Sequence, residues 1–404
     1  MLNWVNRFSI FAYLDNNAYE GLYNRFELLV GAQATEMYTD AASLKAAAGK
    51  HWVFGHLNYD LKNQLYPRLK SSLPAYFDND LLSFFRPGIV MYIPYGSLEL
   101  IIESEQELPE ALWQQVTAET AHIPTDIPET DFMRNFSKEE YIAAVQSVQQ
   151  HIVDGDCYEL NLCVGAAAKI DHLPALQVYH TLNQQNPAPF SCLYRQEKHW
   201  LMSSSPERFL YKRGDTIIAQ PMKGTIRRGA TPEEDAALKL ELVADEKERA
   251  ENIMIADLMR NDLAKHSKTG TIEAVELFGV QTFPTVHTMV STIKGTMDQH
   301  AGIAEVLLDA FPMGSMTGAP KHMVMQIIEE TEHSKRELYS GAVGYITPAG
   351  DFDFNVVIRS LLYNEQTGRL SYHTGGAITI DSIPEKEWAE VQLKALALER
   401  IFKG

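Results

Sequence analysis

The chain has 404 residues, 45% hydrophobic and 22% charged, which fits a folded globular protein and excludes disordered and fibrous classes. Its formal net charge is −18, from 53 acidic against 35 basic residues, so nucleic acid and anionic membrane surfaces are disfavoured as partners. An anionic substrate therefore needs a local site that overrides the field of the whole molecule.

The N-terminal segment lacks a long apolar run, and no later stretch is apolar enough to span a bilayer. A cytoplasmic protein without a signal peptide is expected. Strand-like runs at 53–57, 89–93 and 98–102 precede a Pro-containing seam at 122–128, which divides subregion 1–130 from a denser subregion 131–404 of one domain. A helix then opens on the capping box Ser137/Glu140, carries Ile142, Val145, Val148 and Ile152 on one face, and ends at Gly155. The alternating run 157–164 reads as a strand, followed by others near 190–194, 200–203 and 209–211. Its Cys157 and Cys163, with Cys192, have no paired spacing and read as buried thiols in a reducing compartment. A long helix is predicted over 232–263, with the part around 252–259 apolar on nearly every side and so buried. Another helix starts at the corner 317–320. Strands follow at 342–347, 352–363, 370–374 and 378–380, and a last helix near Pro384 packs through Trp388, Val391, Ala395 and Leu398. Without regular βαβ alternation, this order favours an α+β fold with large antiparallel sheets.

Two Glu-x-x-Glu pairs, Glu248/Glu251 and Glu387/Glu390, place two carboxylates each on one helix face. Such oxygen clusters suit Mg²⁺, which takes one or two carboxylates together with substrate oxygens, although isolated pairs of this kind commonly face solvent. The segment 311–321, rich in Gly and small residues, leads into a helix whose first N–H groups suit a carboxylate. Gly375, Gly376 and Ala377 form a second place for close backbone approach, or a simple bend. Lys223, with Arg227 and Arg228 close behind, is a candidate nucleophile whose pKa neighbouring cations would lower. Glu207 is a candidate proton donor or the partner of a nearby arginine. His287 is a candidate catalyst or a hydrogen-bonded strand residue. Arg359, in an apolar run read as a strand, calls for an anionic partner. No Ser-His-Asp order, His-Glu-x-x-His, Gly-x-Gly-x-x-Gly or amidotransferase cysteine motif appears. The residues alone point to magnesium-assisted chemistry on a small polycarboxylate.

In order, DGDCYELNL (154–162), SSSPERF (203–209), QPMKGTIRRG (220–229), DEKERAENIMIADLMRNDL (245–263), TFPTVHTMVS (282–291), FPMGSMTGAPK (311–321), YSGAVGY (339–345), FNVVIRS (354–360) and GGAITIDSIPEKEWAEVQLKA (375–395) resemble the chorismate-binding enzymes. The resemblance covers about residues 134–402. It implies a single domain over 1–404, of two large antiparallel sheets flanked by helices, with chorismate and Mg²⁺ in a cleft between the layers. Glu251 and Glu390 would be the principal metal ligands, with Glu248 and Glu387 supporting through water. Arg359 and Tyr345, helped by backbone around Gly375 and Gly376, would hold the enolpyruvyl carboxylate, and His287 and Thr317 would line the ring. Lys223 stands where the aminodeoxychorismate synthases of the family carry lysine and the anthranilate synthases carry alanine. The implied reaction is attack of neutral Lys223 at C2 with loss of the C4 hydroxyl assisted by Glu207, then entry of ammonia at C4. Glu159 replaces the more usual glutamine and Ala377 a customary glycine. The competing expectations are an anthranilate synthase component and a non-catalytic chorismate binder. A glutamine amidotransferase subunit is the implied partner, and with no lyase segment visible, formation of p-aminobenzoate is assigned to another enzyme.

Overall fold

In the computed structural model, which describes residues 1–119 and 126–403, strands distant in sequence pair side by side. Ile10–Asp15 runs antiparallel to both Phe26–Tyr38 and Phe190–Gln196, and Val53–Leu57 pairs with Ala342–Ile346. The strands of the first third are thus interleaved with those of the remainder. Of the seam, residues 122–125 lie outside the described residues, and 126–128 carry no regular structure.

Among the described residues, nineteen strands form one hydrogen-bonded network, where two large antiparallel sheets were expected. The reason lies in Leu82–Pro94, a strand of 13 residues, long enough to serve several partners. It pairs along one side with Phe26–Tyr38, and along the other with Val53–Leu57 near its start and Ile101–Ser104 near its end. One arm continues through Ile10–Asp15, Phe190–Gln196, His199–Ser205, Ser360–Asn364 and Arg369–Ile378 to Glu159–Lys169. The other continues through Ala342–Ile346, Phe352–Asn355, Arg208–Arg213 and Thr216–Gln220 to Val286–Thr296. That last strand also pairs with Met222–Arg227 and Glu273–Thr282. Every one of these pairings is antiparallel. The joint is tight at Gly55, where a Cβ would stand 2.2 Å from the Ser83 carbonyl oxygen.

The helix Lys138–Asp154 has the expected capping box, and Gly155 closes it in the left-handed region at φ 85°. The helix read over 232–263 is two helices, Pro232–Ala244 and Glu246–Ala264. Asp245 breaks it because its carboxylate caps the second helix by accepting from the Glu248 N–H. The apolar part of that helix is buried on one side only: Ile255, Ala256 and Met259 are buried, whereas Ile253 is exposed. The strand read over 352–363 is interrupted between Asn355 and Ser360. Helix Pro384–Glu399 buries Val391, Ala395 and Leu398 as expected, with Trp388 packed beside them. The three cysteines are free and buried. Among the described residues, no helix is long and apolar enough to cross a membrane.

Candidate active site

Lys223 owes its orientation to an irregularity in the sheet. Between Met222 and Thr225 the pairing with Val286–Thr296 shifts register, and such a bulge re-aims a side chain. The bulge needs a glycine at 224, where φ is 87° and a Cβ would approach Glu248 Oε2 to 2.9 Å. Asn252 donates to the Lys223 carbonyl at 3.3 Å, and its own oxygen accepts from Ser291. Lys223 Nζ donates to Glu159 Oε1 at 2.5 Å. Burial pulls the ammonium's pKa down, but the carboxylates of Glu159, Glu251 and Glu207 outweigh burial and hold it above the ordinary lysine value. The expected neighbouring cations point elsewhere: Arg227 pairs with Glu234, and Arg228 with Asp235. A Lys223 with a lowered pKa is therefore not what these surroundings produce.

Glu207 follows the strand His199–Ser205 and is 4% exposed. Burial raises its pKa to about 7, against the opposing effects of the Ser315 hydroxyl and the Lys223 ammonium. Ser315, in the turn Gly314–Met316, donates to Glu207 Oε1 at 2.6 Å. The alternative arginine pairing is not made, since the adjacent Arg208 binds Asp353 at 2.8 Å. Arg359 lies in the bend between strands, at φ 50°, where a strand was expected. Among the described residues it has no ion-pair partner, and its guanidinium lies 5.8 Å from the centre of the Phe283 ring. Burial lowers its pKa, with Tyr19 and Glu207 opposing. Within the protein, the acidic group acting on it is Glu207, through space and without an ion-pair contact.

Glu248 and Glu251 on helix Glu246–Ala264 share one electrostatic neighbourhood with Glu387 and Glu390 on helix Pro384–Glu399. Burial raises Glu248, Glu251 and Glu387, Glu251 to about 7, and carboxylate neighbours add to each shift; for Glu248 one of those neighbours is Glu390 across the site. Burial also acts upward on Glu390, but Lys394, 2.8 Å away, prevails and lowers it. The second pair borders the strand Arg369–Ile378: a Cβ on Gly376 would stand 3.5 Å from Glu387 Oε2 and 3.9 Å from Glu390 Oε1. Among the described residues, no three acidic, histidine or cysteine side chains close into a ready metal cage. Lys247 and Lys394 offset part of the like charge, at Glu251 and Glu390, and the all-oxygen donor set still fits a hard cation such as Mg²⁺, which fills most of its shell with water and substrate oxygens.

The remaining candidates fall in different places. Gly375, Gly376 and Ala377 lie inside one continuous strand opposite Cys163, Leu162 and Asn161, which corrects the reading of a bend between two strands. Lys394 donates to the Gly375 carbonyl at 2.8 Å and so ties the last helix to this strand. Thr317 is fully buried and spends its hydroxyl on the Met313 carbonyl at 3.0 Å. His287 is fully buried too, with Nδ1 3.0 Å from the Thr282 hydroxyl and Nε2 2.9 Å from Asp235. Tyr345 is not brought to Arg359. Its strand places the ring with Phe26, Trp52 and Phe54, beside a small cavity lined by Arg25, Arg208 and Asp353.

Sequence reasoning missed Asn252, Ser315 and Arg336, which have no motif signature of their own. Arg336 is 1% exposed and donates to the carbonyls of Met316 and Asn161, both at 2.6 Å, and to Glu332. Glu332 in turn accepts from the Cys163 N–H at 2.8 Å. This buried pair braces the turn bearing Ser315 against the strand bearing Glu159.

All these positions lie within residues 16–400, which match the chorismate binding enzyme family. The chain belongs to that family. As a chorismate-binding enzyme it is 43% identical over 284 residues to a protein of Oryza sativa subsp. japonica named probable aminodeoxychorismate synthase, chloroplastic, covering 70% of this chain and 32% of that one. It is 36% identical over 341 residues to aminodeoxychorismate synthase component 1 of Klebsiella aerogenes, covering 83% of this chain and 74% of that one. The chain thus spans about a third of the rice relative's length. Its fold is shared with anthranilate synthase component I of Streptococcus pneumoniae TIGR4, at a TM-score of 0.80 and 22% identity over 97% of this chain and 92% of that one.

Proposed function

We propose that this chorismate-binding enzyme aminates chorismate to 4-amino-4-deoxychorismate, as component I of an aminodeoxychorismate synthase on the route to p-aminobenzoate and folate. The observation that carries the reading is that Lys223 and Glu207 share one site and act on each other electrostatically, a lysine near a carboxyl group whose pKa burial raises to about 7. The names of the rice and Klebsiella relatives support it.

The amine of Lys223 forms a bond to C2 of the ring as Glu207 gives its proton to the C4 hydroxyl, which leaves as water. Ammonia then bonds to C4, the C2–N bond breaks to release Lys223, and the proton shed by the new C4 nitrogen returns to Glu207. Arg359, half-buried and without an ion-pair partner among the described residues, binds the enolpyruvyl carboxylate. His287 and Thr317, whose polar atoms are already engaged, serve as fixed walls and leave proton transfer to Glu207. A magnesium ion held by Glu251 and Glu390, with Glu248 and Glu387 through water, would neutralise the ring carboxylate. Ammonia would come from a glutamine amidotransferase partner, a reading supported by the designation component 1 of the Klebsiella relative. The free, buried cysteines suit a cytoplasmic setting.

The test is mass-resolved product analysis after incubation with chorismate, Mg²⁺ and ammonium salt. A product that keeps the enolpyruvyl group and carries nitrogen at C4 is expected. Anthranilate with pyruvate would replace the reaction assigned here and leave the family standing. Lys223→Ala is expected to abolish any trapped C2 adduct; an adduct of unchanged yield would remove the lysine from the mechanism.

A further inference from the structure

Lys223 and Glu159 are in direct contact. The contact is Nζ to Oε1 at 2.5 Å, between a side chain fixed by the bulge at 222–225 and a carboxylate only 1% exposed. Glu159 is held from its backbone outward. It pairs with Ala319, Tyr158 beside it donates to the Ala319 carbonyl, and Gly318 comes so close that a Cβ there would lie 2.0 Å from the Glu159 carbonyl oxygen. The second carboxylate oxygen, Oε2, is buried and has no hydrogen-bond partner among the described residues. Pulling Lys223 away would therefore strand a buried carboxylate whose stabilisation in the protein comes from that ammonium.

We propose that Glu159 is a catch on Lys223: it parks the side chain as an ammonium, and the amine becomes nucleophilic only once this pair is broken and the ammonium has given its proton to Glu159 or to solvent. The proposal rests on the reading of Lys223 as the nucleophile. A protonated amine has no lone pair to offer, so a caught lysine is inert toward electrophiles. The groups facing Lys223 from the surrounding elements act in the same direction. They are Glu159 on its strand, Glu207 ahead of Arg208–Arg213, Glu248 and Glu251 on one helix, and Glu390 on the other. Of these, Glu159 is the one in ion-pair contact. A glutamine at this position would accept a hydrogen bond but carry no charge, so the catch depends on the carboxylate.

The experiment is carbamylation of the full chain by cyanate without chorismate, with the rate at Lys223 followed by peptide mass mapping across pH. Glu159→Gln, nearly isosteric, is expected to raise the Lys223 rate at about pH 8 by at least tenfold, the equivalent of one unit of pKa. In the unmodified protein the rate is expected to keep rising beyond the ordinary lysine value of about 10.4. Identical rate–pH curves for the two proteins would overturn the catch. So would an inflection at or below the ordinary lysine value in the unmodified protein, a measurement that needs no variant. If Lys223→Ala still aminates chorismate, the nucleophile reading fails separately, because carbamylation reports on the pair whether or not the lysine is catalytic.

Discussion

At Glu207 the sign of the pH dependence follows from its role. In the proposed reaction the group gives a proton, and burial raises its pKa to about 7. Amination is therefore expected to be supported below that pH and to fall as pH rises through it, a limb visible in a rate profile at saturating chorismate. Glu207→Gln should lose about 10²- to 10⁴-fold in rate at pH 6.5 and flatten the limb. An unchanged limb would show that another group supplies the proton. Glu251 offers a test of stability. Its pKa is raised from the ordinary carboxylate range to about 7 by burial, with Lys223 opposing and Glu159 and Glu248 adding to the shift. A raised carboxylate favours folding while protonated in both states, and that benefit is lost as pH climbs through the folded value. Glu251→Gln should thus melt about 1–2 °C higher than the parent at pH 8 without added Mg²⁺, with the difference vanishing below about pH 4. The same substitution should weaken the response to Mg²⁺.

At the level of single elements, adjacent glycines on the strand Arg369–Ile378 are expected to behave differently. A Cβ on Gly375 would meet both Cys163 Sγ and the Leu162 carbonyl oxygen at 2.7 Å. Gly375→Ala should therefore destabilise the protein by about 1–3 kcal/mol in denaturant titration. On Gly376 the nearest atoms are carboxylate oxygens at 3.5 and 3.9 Å, which is ordinary contact. Gly376→Ala should keep its melting temperature and instead require several-fold more Mg²⁺ for half-maximal activity. Elements with local signatures were readable beforehand: the Ser137/Glu140 box, the Gly155 stop and the packed stripe of the last helix depend on residues a few positions apart. The break at Asp245 was less visible, because helical periodicity continues on both sides of it. Arg359 was misplaced because apolar flanks hide its positive φ, which tertiary contacts impose. The carboxylate pairs were legible as pairs from their spacing, but the convergence of the two helices was implied only by the family resemblance. Lys223 was identifiable by resemblance, whereas its surroundings were misjudged because neighbours in sequence, Arg227 and Arg228, are not its neighbours in space.

Across the whole molecule, sequence order gave little hint of pairing partners, since Val53–Leu57 lies beside Ala342–Ile346 and Ile10–Asp15 beside Phe190–Gln196. Period-two patterns locate strands but say nothing of which distant strand lies alongside. The joining of both arms through Leu82–Pro94 has a measurable counterpart in hydrogen exchange. Amides of Val53–Leu57 and of Phe26–Tyr38 should open with similar free energies, as parts of one cooperative unit. Early exchange of one arm with the other fully protected would contradict that. The shared strand also bears on traffic through the enzyme. Two halves linked only by loops can swing apart like jaws, but these halves have a backbone strand in common, so such a swing would tear its ladder on one side or the other. In the reaction proposed above, chorismate would then come and go past connecting loops at the rim of the site. The pace of turnover becomes a matter of how those rims move over a frame that stays closed.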